Sequence, residues 1–159
     1  LKVDDGIVVD EASRTGDPDV YAIGDCAMHA HHGFLRRKIR LESVPNALEQ
    51  ARAAAASIAG QPIFEAAAPW FWSDQYDLKL QMVGFSDGYE ELAIRGSMET
   101  SSFIAFYFKQ GRVIAADSVN RLGEFMAAKR IVGERMEIAV ARLTDESVPL
   151  KSLLRPAAA

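Results

Sequence analysis

The sequence predicts an α+β fold: an antiparallel sheet with flanking helices, preceded by a strand–turn–helix piece of α/β type. Three observations carry this prediction. Residues 78 to 119 hold successive strand-like runs joined by a Gln110-Gly111 hairpin signal. Helical patterns follow those strands rather than alternating with them, which is the order of an α+β layer. Ahead of them, a short apolar run stops at Gly24-Asp25 and a long helical pattern begins near Ser43.

Composition narrows the class. The chain has 159 residues, enough to bury a sizeable core. Charged residues make up 25% and apolar ones 49%, the balance of an ordinary soluble globular protein. With 18 basic and 22 acidic side chains the net charge is −4, so bulk charge favours neither nucleic acid nor a membrane surface. No apolar run approaches the roughly 20 residues needed to cross a bilayer. The opening Leu1-Lys2-Val3-Asp4-Asp5 lacks the hydrophobic segment of a signal peptide and lacks Met, so a fragment or processed product is expected. Cys26 is the only cysteine, which rules out an internal disulfide and makes a reducing cytoplasm the expected setting.

Taken in order, residues 1 to 25 read as a hairpin and a strand. Ile7 to Val9 form the first strand, Ser13 to Asp19 are turn formers, and Val20 to Ile23 form the next strand. Gly24 then breaks the run and allows close backbone approach, and Asp25 stands where open α/β sheets hold their ligands. So little sheet does not stand alone, and its other strands are expected elsewhere. Residues 26 to 41 read as a solvated loop, with Arg36, Arg37, Lys38 and Arg40 offering charge to an acidic partner. His29, His31 and His32 precede them. Their spacing lacks the i, i+4 geometry of a helical metal site and no Cys or carboxylate completes a set, so no metal is expected.

The clearest helix spans residues 43 to 59, with Val44, Ala47, Leu48, Ala51, Ala54, Ala55 and Ile58 as its apolar face. Pro45 suits the first turn, and Gly60 with Pro62 ends the helix. The free N–H groups at its start carry about half a positive charge and suit an anion. Residues 61–69 read as a linker, which divides the chain into 1–60, 61–69 and 70–159. Beyond it, Leu78, Leu80 and Met82 alternate as a strand, Leu92 and Ile94 continue the pattern, and Phe103 to Phe108 is apolar on both faces, as in a central strand. Arg112 to Val119 returns as a hairpin partner. Asn120 is read as the cap of a helix from Arg121 to Val132, with Gly133 as its stop. Pro149 to Leu154 reads as a short terminal helix, and Arg155 to Ala159 as frayed.

Three stretches agree in order and spacing: Tyr21-Ala-Ile-Gly-Asp25, Arg40-Leu-Glu-Ser-Val-Pro-Asn-Ala47 and Pro69-Trp-Phe-Trp-Ser-Asp-Gln-Tyr76. Together they resemble the carboxyl-terminal portion of the FAD-dependent ferredoxin reductases of the putidaredoxin reductase and rubredoxin reductase type. These belong to the pyridine-nucleotide-disulfide oxidoreductase superfamily, and the resemblance covers essentially the whole chain. It implies that residues 1–60 are the end of an FAD-binding domain and residues 70–159 a reductase C-terminal, or interface, domain. It implies that Gly24 and Asp25 hold the ribitol of FAD. Val44 and Pro45 would approach the pyrimidine edge of the flavin, although some members carry Trp where this chain has Val44. Trp72 would lie near the flavin, and Glu42 near the nicotinamide side. Arg52, Lys129 and Lys151 would dock a 2Fe–2S ferredoxin serving a P450 or dioxygenase system. From packing alone, Trp70 and Trp72 share strand parity and read as a core pair.

A working reductase also needs two Gly-x-Gly-x-x-Gly loops, one for FAD and one for NAD(P)H, and neither stands in this sequence. The parent is therefore expected to be an NAD(P)H:ferredoxin oxidoreductase, and the piece alone to be inactive and free of FAD. One carboxylate hydrogen bond contributes about 1.5–3 kcal/mol, whereas nanomolar retention needs about 12 kcal/mol. Folding is expected to rest mainly on residues 70 to 154, with self-association through apolar surface meant for the missing FAD and NAD domains. The alternative reading is a non-catalytic interaction or dimerisation module related to flavoprotein interface domains.

Overall fold

A computed structural model describes residues 1–32, 34–64 and 66–154. The chain divides into two units, Leu1–Pro69 and Trp70–Ala159. In the first unit, β1 (Ile7–Val9), β2 (Ala27–His32) and β3 (Arg37–Arg40) form one sheet in that order, followed by α1 (Val44–Ile58). β1 runs parallel to β2, with Ile7 opposite Ala27 and Val9 opposite His29, and β3 returns antiparallel. A parallel pair needs a long connection, and Asp10 to Cys26 supplies it.

That connection corrects the expected strand at Val20 to Ile23. Tyr21 makes one isolated bridge to Arg14, while Val20 and Ile23 keep exposed side chains. With one bridge on one side, the run has no ladder to join. The strand comes after the Gly-Asp turn instead, in residues expected to be a solvated loop. There His29 and His32 are buried, and a hairpin closes from the Arg36 N–H to the His32 carbonyl at 2.6 Å. Lys38 is paired with Asp4, and Arg40 with Glu42 and Asp5, so much of the loop's expected charge is already neutralised.

The second unit is a five-stranded antiparallel sheet. It comprises β4 (Trp70–Gln75), β5 (Leu78–Gly84), β6 (Glu91–Ser97), β7 (Ser102–Lys109) and β8 (Arg112–Val119), in the order β4-β5-β8-β7-β6. Register explains its core. Trp70, Val83, Ala116, Phe106 and Ala93 lie opposite one another in a row across all five strands. The next row on that face is Trp72, Gln81, Ser118, Ile104 and Arg95. α2 (Leu122–Gly133) covers this face, burying Phe125, Ala128, Ile131 and Val132. Trp70 meets Phe125 with ring centroids 6.1 Å apart.

A short α3 (Val140–Thr144), not anticipated from the sequence, and a 3-10 turn at Leu150–Leu154 complete the unit. Their backbone is gathered by Arg95, which is 2% exposed. Its guanidinium donates to the carbonyls of Leu143, Asp145 and Val148 and pairs with Glu124 at 2.8 Å. Three local expectations are corrected. Asn120 does not cap α2: its side chain accepts from the Lys79 N–H and donates to the Ser101 carbonyl, which ties strand ends together. Arg121 takes the cap position, and the left-handed residue after the helix is Arg135 (φ 48°) rather than Gly133. The terminal helix is of 3-10 type, as a single closing turn favours. The expected fraying of Arg155 to Ala159 lies outside the described residues.

Candidate functional site

The first unit brings a turn and a helix start together. Gly24, at φ +74°, adopts a left-handed backbone that suits a residue without Cβ. A Cβ placed there would lie 3.5 Å from the Ala47 Cβ, in the first turn of α1. Asp25 follows in the short 3-10 turn Gly24–Cys26. Its carboxylate is exposed and has no hydrogen-bond partner among the described residues, whereas its carbonyl accepts from Arg40 Nη1 at 3.1 Å. Asp25 and Arg40 line an open cleft of about 480 Å³ with Gly6 and Ile7.

At the helix start, the cap refines the expectation of several free N–H groups. The Ser43 hydroxyl accepts from the Asn46 N–H at 3.3 Å, and Pro45 has no N–H to offer. The Val44 N–H is left without an acceptor among the described residues, and its side chain is exposed. Among the described residues the site therefore presents a carboxylate acceptor at Asp25 and a backbone donor at Val44. Glu42 stands close in sequence but its carboxylate is engaged by Arg40. Arg52 is exposed on α1.

Behind the turn lies a buried polar network that sequence reading missed. The Gly24 N–H donates to Gln50 Oε1 at 2.6 Å. Asn46 Nδ2 donates to the Leu41 carbonyl at 2.9 Å and to Gln50 Oε1 at 3.3 Å. Gln50 Nε2 lies 2.9 Å from His29 Nε2, and Asn46 Oδ1 lies 3.3 Å from the same nitrogen. Burial holds His29 below the usual imidazole range, against smaller opposing effects of Asn46 and Glu49. The signal was present as Asn46, Gln50 and Ala54 at i, i+4, i+8, the side of α1 that is buried. The expected apolar face is wrong in part, because Val44, Leu48 and Ile58 remain exposed while the polar stripe turns inward to His29. Among the described residues no group of three His, Cys, Asp or Glu could hold a metal; the His31 side chain lies outside the description.

In the second unit, Trp70 and Trp72 stack with centroids 5.4 Å apart, and Lys129 Nζ lies 4.1 Å over the Trp70 ring. Trp70 is half-buried against Phe125, while Trp72 is 40% exposed. The expected core pair is thus divided: one ring packs and the other is presented. Lys151 is exposed. On the opposite face of the sheet, the Tyr107 hydroxyl donates to Asp117 at 2.8 Å, and burial pushes the phenol up to about 12.

Residues 70–154 match the family described as Reductase C-terminal, and residues 1–51 match Pyridine nucleotide-disulphide oxidoreductase. The chain belongs to the Reductase C-terminal family. It is 48% identical over 159 residues to putidaredoxin reductase CamA of Pseudomonas putida, covering 100% of this chain and 37% of that protein. It is 42% identical over 151 residues to rhodocoxin reductase of Rhodococcus erythropolis, covering 95% and 35%. The structure of a covalent putidaredoxin reductase–putidaredoxin complex superposes with a TM-score of 0.90 at 49% identity, covering 97% of this chain and 37% of that one. A ferredoxin reductase for the CYP199A2 system of Rhodopseudomonas palustris gives 0.88 at 39% identity, covering 98% and 38%. The chain spans little more than a third of the length of these relatives.

Proposed function

We propose that this chain is the carboxyl-terminal part of an NAD(P)H-dependent FAD flavoprotein that passes electrons to a 2Fe–2S ferredoxin serving a P450 or dioxygenase. The observation that carries the reading is the Gly24-Asp25 turn against α1, with a carboxylate and an N–H that have no partner among the described residues. Those groups fit a flavin: an acceptor for a ribitol hydroxyl at Asp25 and a donor for the pyrimidine edge at Val44, with Pro45 fixing the helix start. FAD, when bound, supplies the conversion between two-electron chemistry at a nicotinamide and one-electron delivery to an iron–sulfur protein. The phosphate-binding glycine loops belong to sequence outside this chain, and the domain division 1–60, 61–69, 70–159 is part of the proposal.

Trp72 is assigned to the flavin on the strength of its exposed ring on the Trp70 stack. Glu42 is assigned to the nicotinamide side, oriented by Arg40. Arg52, Lys129 and Lys151 are assigned to ferredoxin docking, where such charges set encounter rate and salt dependence more than final affinity. Cytoplasmic residence is part of the same reading, supported by the exposed, unpaired Cys26. The test is NAD(P)H-dependent reduction of a 2Fe–2S ferredoxin by the complete protein, with the visible spectrum recorded in parallel. A flavin spectrum and ferredoxin turnover support the reading, and a colourless complete protein refutes it. The chain alone, mixed with FAD and desalted, is expected to elute colourless.

A further inference from the structure

The network behind the site has a direction that can be read from its chemistry. Two backbone groups orient the two carboxamides. The Leu41 carbonyl accepts only, so Asn46 must turn its Nδ2 toward it. The Gly24 N–H donates only, so Gln50 must turn its Oε1 toward it. Gln50 Nε2 then faces His29 Nε2 at 2.9 Å, which requires that nitrogen to be bare and the imidazole proton to sit on Nδ1. Protonating Nε2 would satisfy Asn46 Oδ1 at 3.3 Å but set a donor against the Gln50 amide. Gln50 is 2% exposed, Asn46 7% and His29 8%, so water does not substitute for a lost partner without rearrangement.

We propose that Gln50 is the positioning residue of this site: its carboxamide, held between Asn46 and His29, fixes the Gly24 amide and so sets the Asp25 turn against the first turn of α1. Gln50 is itself buried behind the turn. It acts through Gly24, whose N–H it accepts from a helix position one turn beyond Asn46. The hold on Gly24 follows from geometry alone, and its consequence for FAD rests on the function proposed above.

The experiment compares Gln50→Leu and Gln50→Glu in the complete protein. Leu removes every side-chain polar contact at similar size, while Glu keeps the acceptor for the Gly24 and Asn46 donors and turns a second acceptor toward His29 Nε2, which must then carry the imidazole proton. Three quantities are read: the exchange rate of the Gly24 amide, the dissociation constant for FAD, and the ¹⁵N shifts of His29. The wild type should show the neutral Nδ1–H form of His29 and a protected Gly24 amide. Gln50→Leu should speed Gly24 exchange at least tenfold and weaken FAD at least tenfold, and Gln50→Glu should restore both to within about threefold. Exchange and FAD affinity both within twofold of wild type in Gln50→Leu would overturn the proposal. Loss of FAD with Gly24 still protected would overturn it as well. Should Gln50→Leu not fold, Gln50→Met, which removes the acceptor with a more flexible apolar side chain, decides: a Gly24 amide exchanging at least tenfold faster supports the proposal and one still protected overturns it. A wild-type protein that holds no FAD would refute the flavin reading, while Gly24 exchange would still decide the role of Gln50.

Discussion

The two units bury polar groups for different ends. In the first, the buried apolar side chains are small or few, with Val9, Ala22 and Ala27 forming one cluster. The interior between turn and helix is instead His29, Asn46 and Gln50, each hydrogen-bonded. In the second, Phe106, Phe125, Ile104, Ile131, Leu143 and Leu150 fill the core, and Arg95 is its one buried charge among the described residues. There Gln81 Oε1 and Ser118 Oγ lie buried without hydrogen-bond partners among the described residues. A region stabilised by apolar burial tolerates an orphaned hydroxyl, because a fully buried large side chain contributes about 1.5–3 kcal/mol. A region built on directional bonds has little such reserve, but it fixes the position of a turn. The first unit holds a geometry, and the second holds a fold.

The sharpest way to break the contrast is Arg95→Ala. It leaves three carbonyls without their donor and Glu124 with Arg121 as its remaining partner, and removing one partner of a buried pair costs about 3–5 kcal/mol. Thermal unfolding should show a drop of several degrees or more in the second unit, and an unchanged melting temperature would deny Arg95 its role.

Acid separates the units next. His29 titrates below its unfolded value of 6.5 because burial disfavours the cation. Its contribution is therefore complete above 6.5 and is lost as pH falls from there toward the lowered folded value. In the second unit, burial raises Glu124, but hydrogen bonds from Arg95 and Arg121 outweigh it and leave the carboxyl below 4.5. Its contribution is present above 4.5 and is lost only in stronger acid. Amide exchange followed from pH 7 to pH 5 should loosen the first unit before the second, and the reverse order would contradict the comparison.

Ser118→Ala should move the other way. Its hydroxyl is buried without a partner among the described residues, so its removal should raise stability by about 1 kcal/mol in denaturant unfolding. A comparable loss would mean that the hydroxyl is satisfied in solution. The smallest effect is expected at Lys129→Ala, where the cation–π contact with Trp70 contributes about 0.5–1 kcal/mol. Tryptophan fluorescence should report that change more clearly than the melting temperature does.

Much of the second unit was legible in the sequence because alternation at Leu78, Leu80 and Met82 and the Gln110-Gly111 turn are local signals. Asn120 misled because its side chain was already claimed by strand ends far off in sequence. The first unit was less legible. Its strand at Ala27–His32 is defined by partners on either side, and histidines with flanking basic residues read as a polar loop. Asp25 and the Pro45 helix were visible from motif spacing. The supporting Asn46, Gln50 and His29 were not, because a buried polar stripe on a helix looks like a solvated face until its partners are known.

The central proposal is that the Asp25 turn and the Val44 helix start form the flavin contact of this chain. The most direct measurement is the FAD dissociation constant of the complete protein carrying Asp25→Asn, with circular dichroism confirming the fold. The loss of a charge-assisted hydrogen bond of about 1.5–3 kcal/mol predicts a constant raised roughly tenfold to a hundredfold. A folded variant that binds FAD as tightly as the wild type would contradict the account.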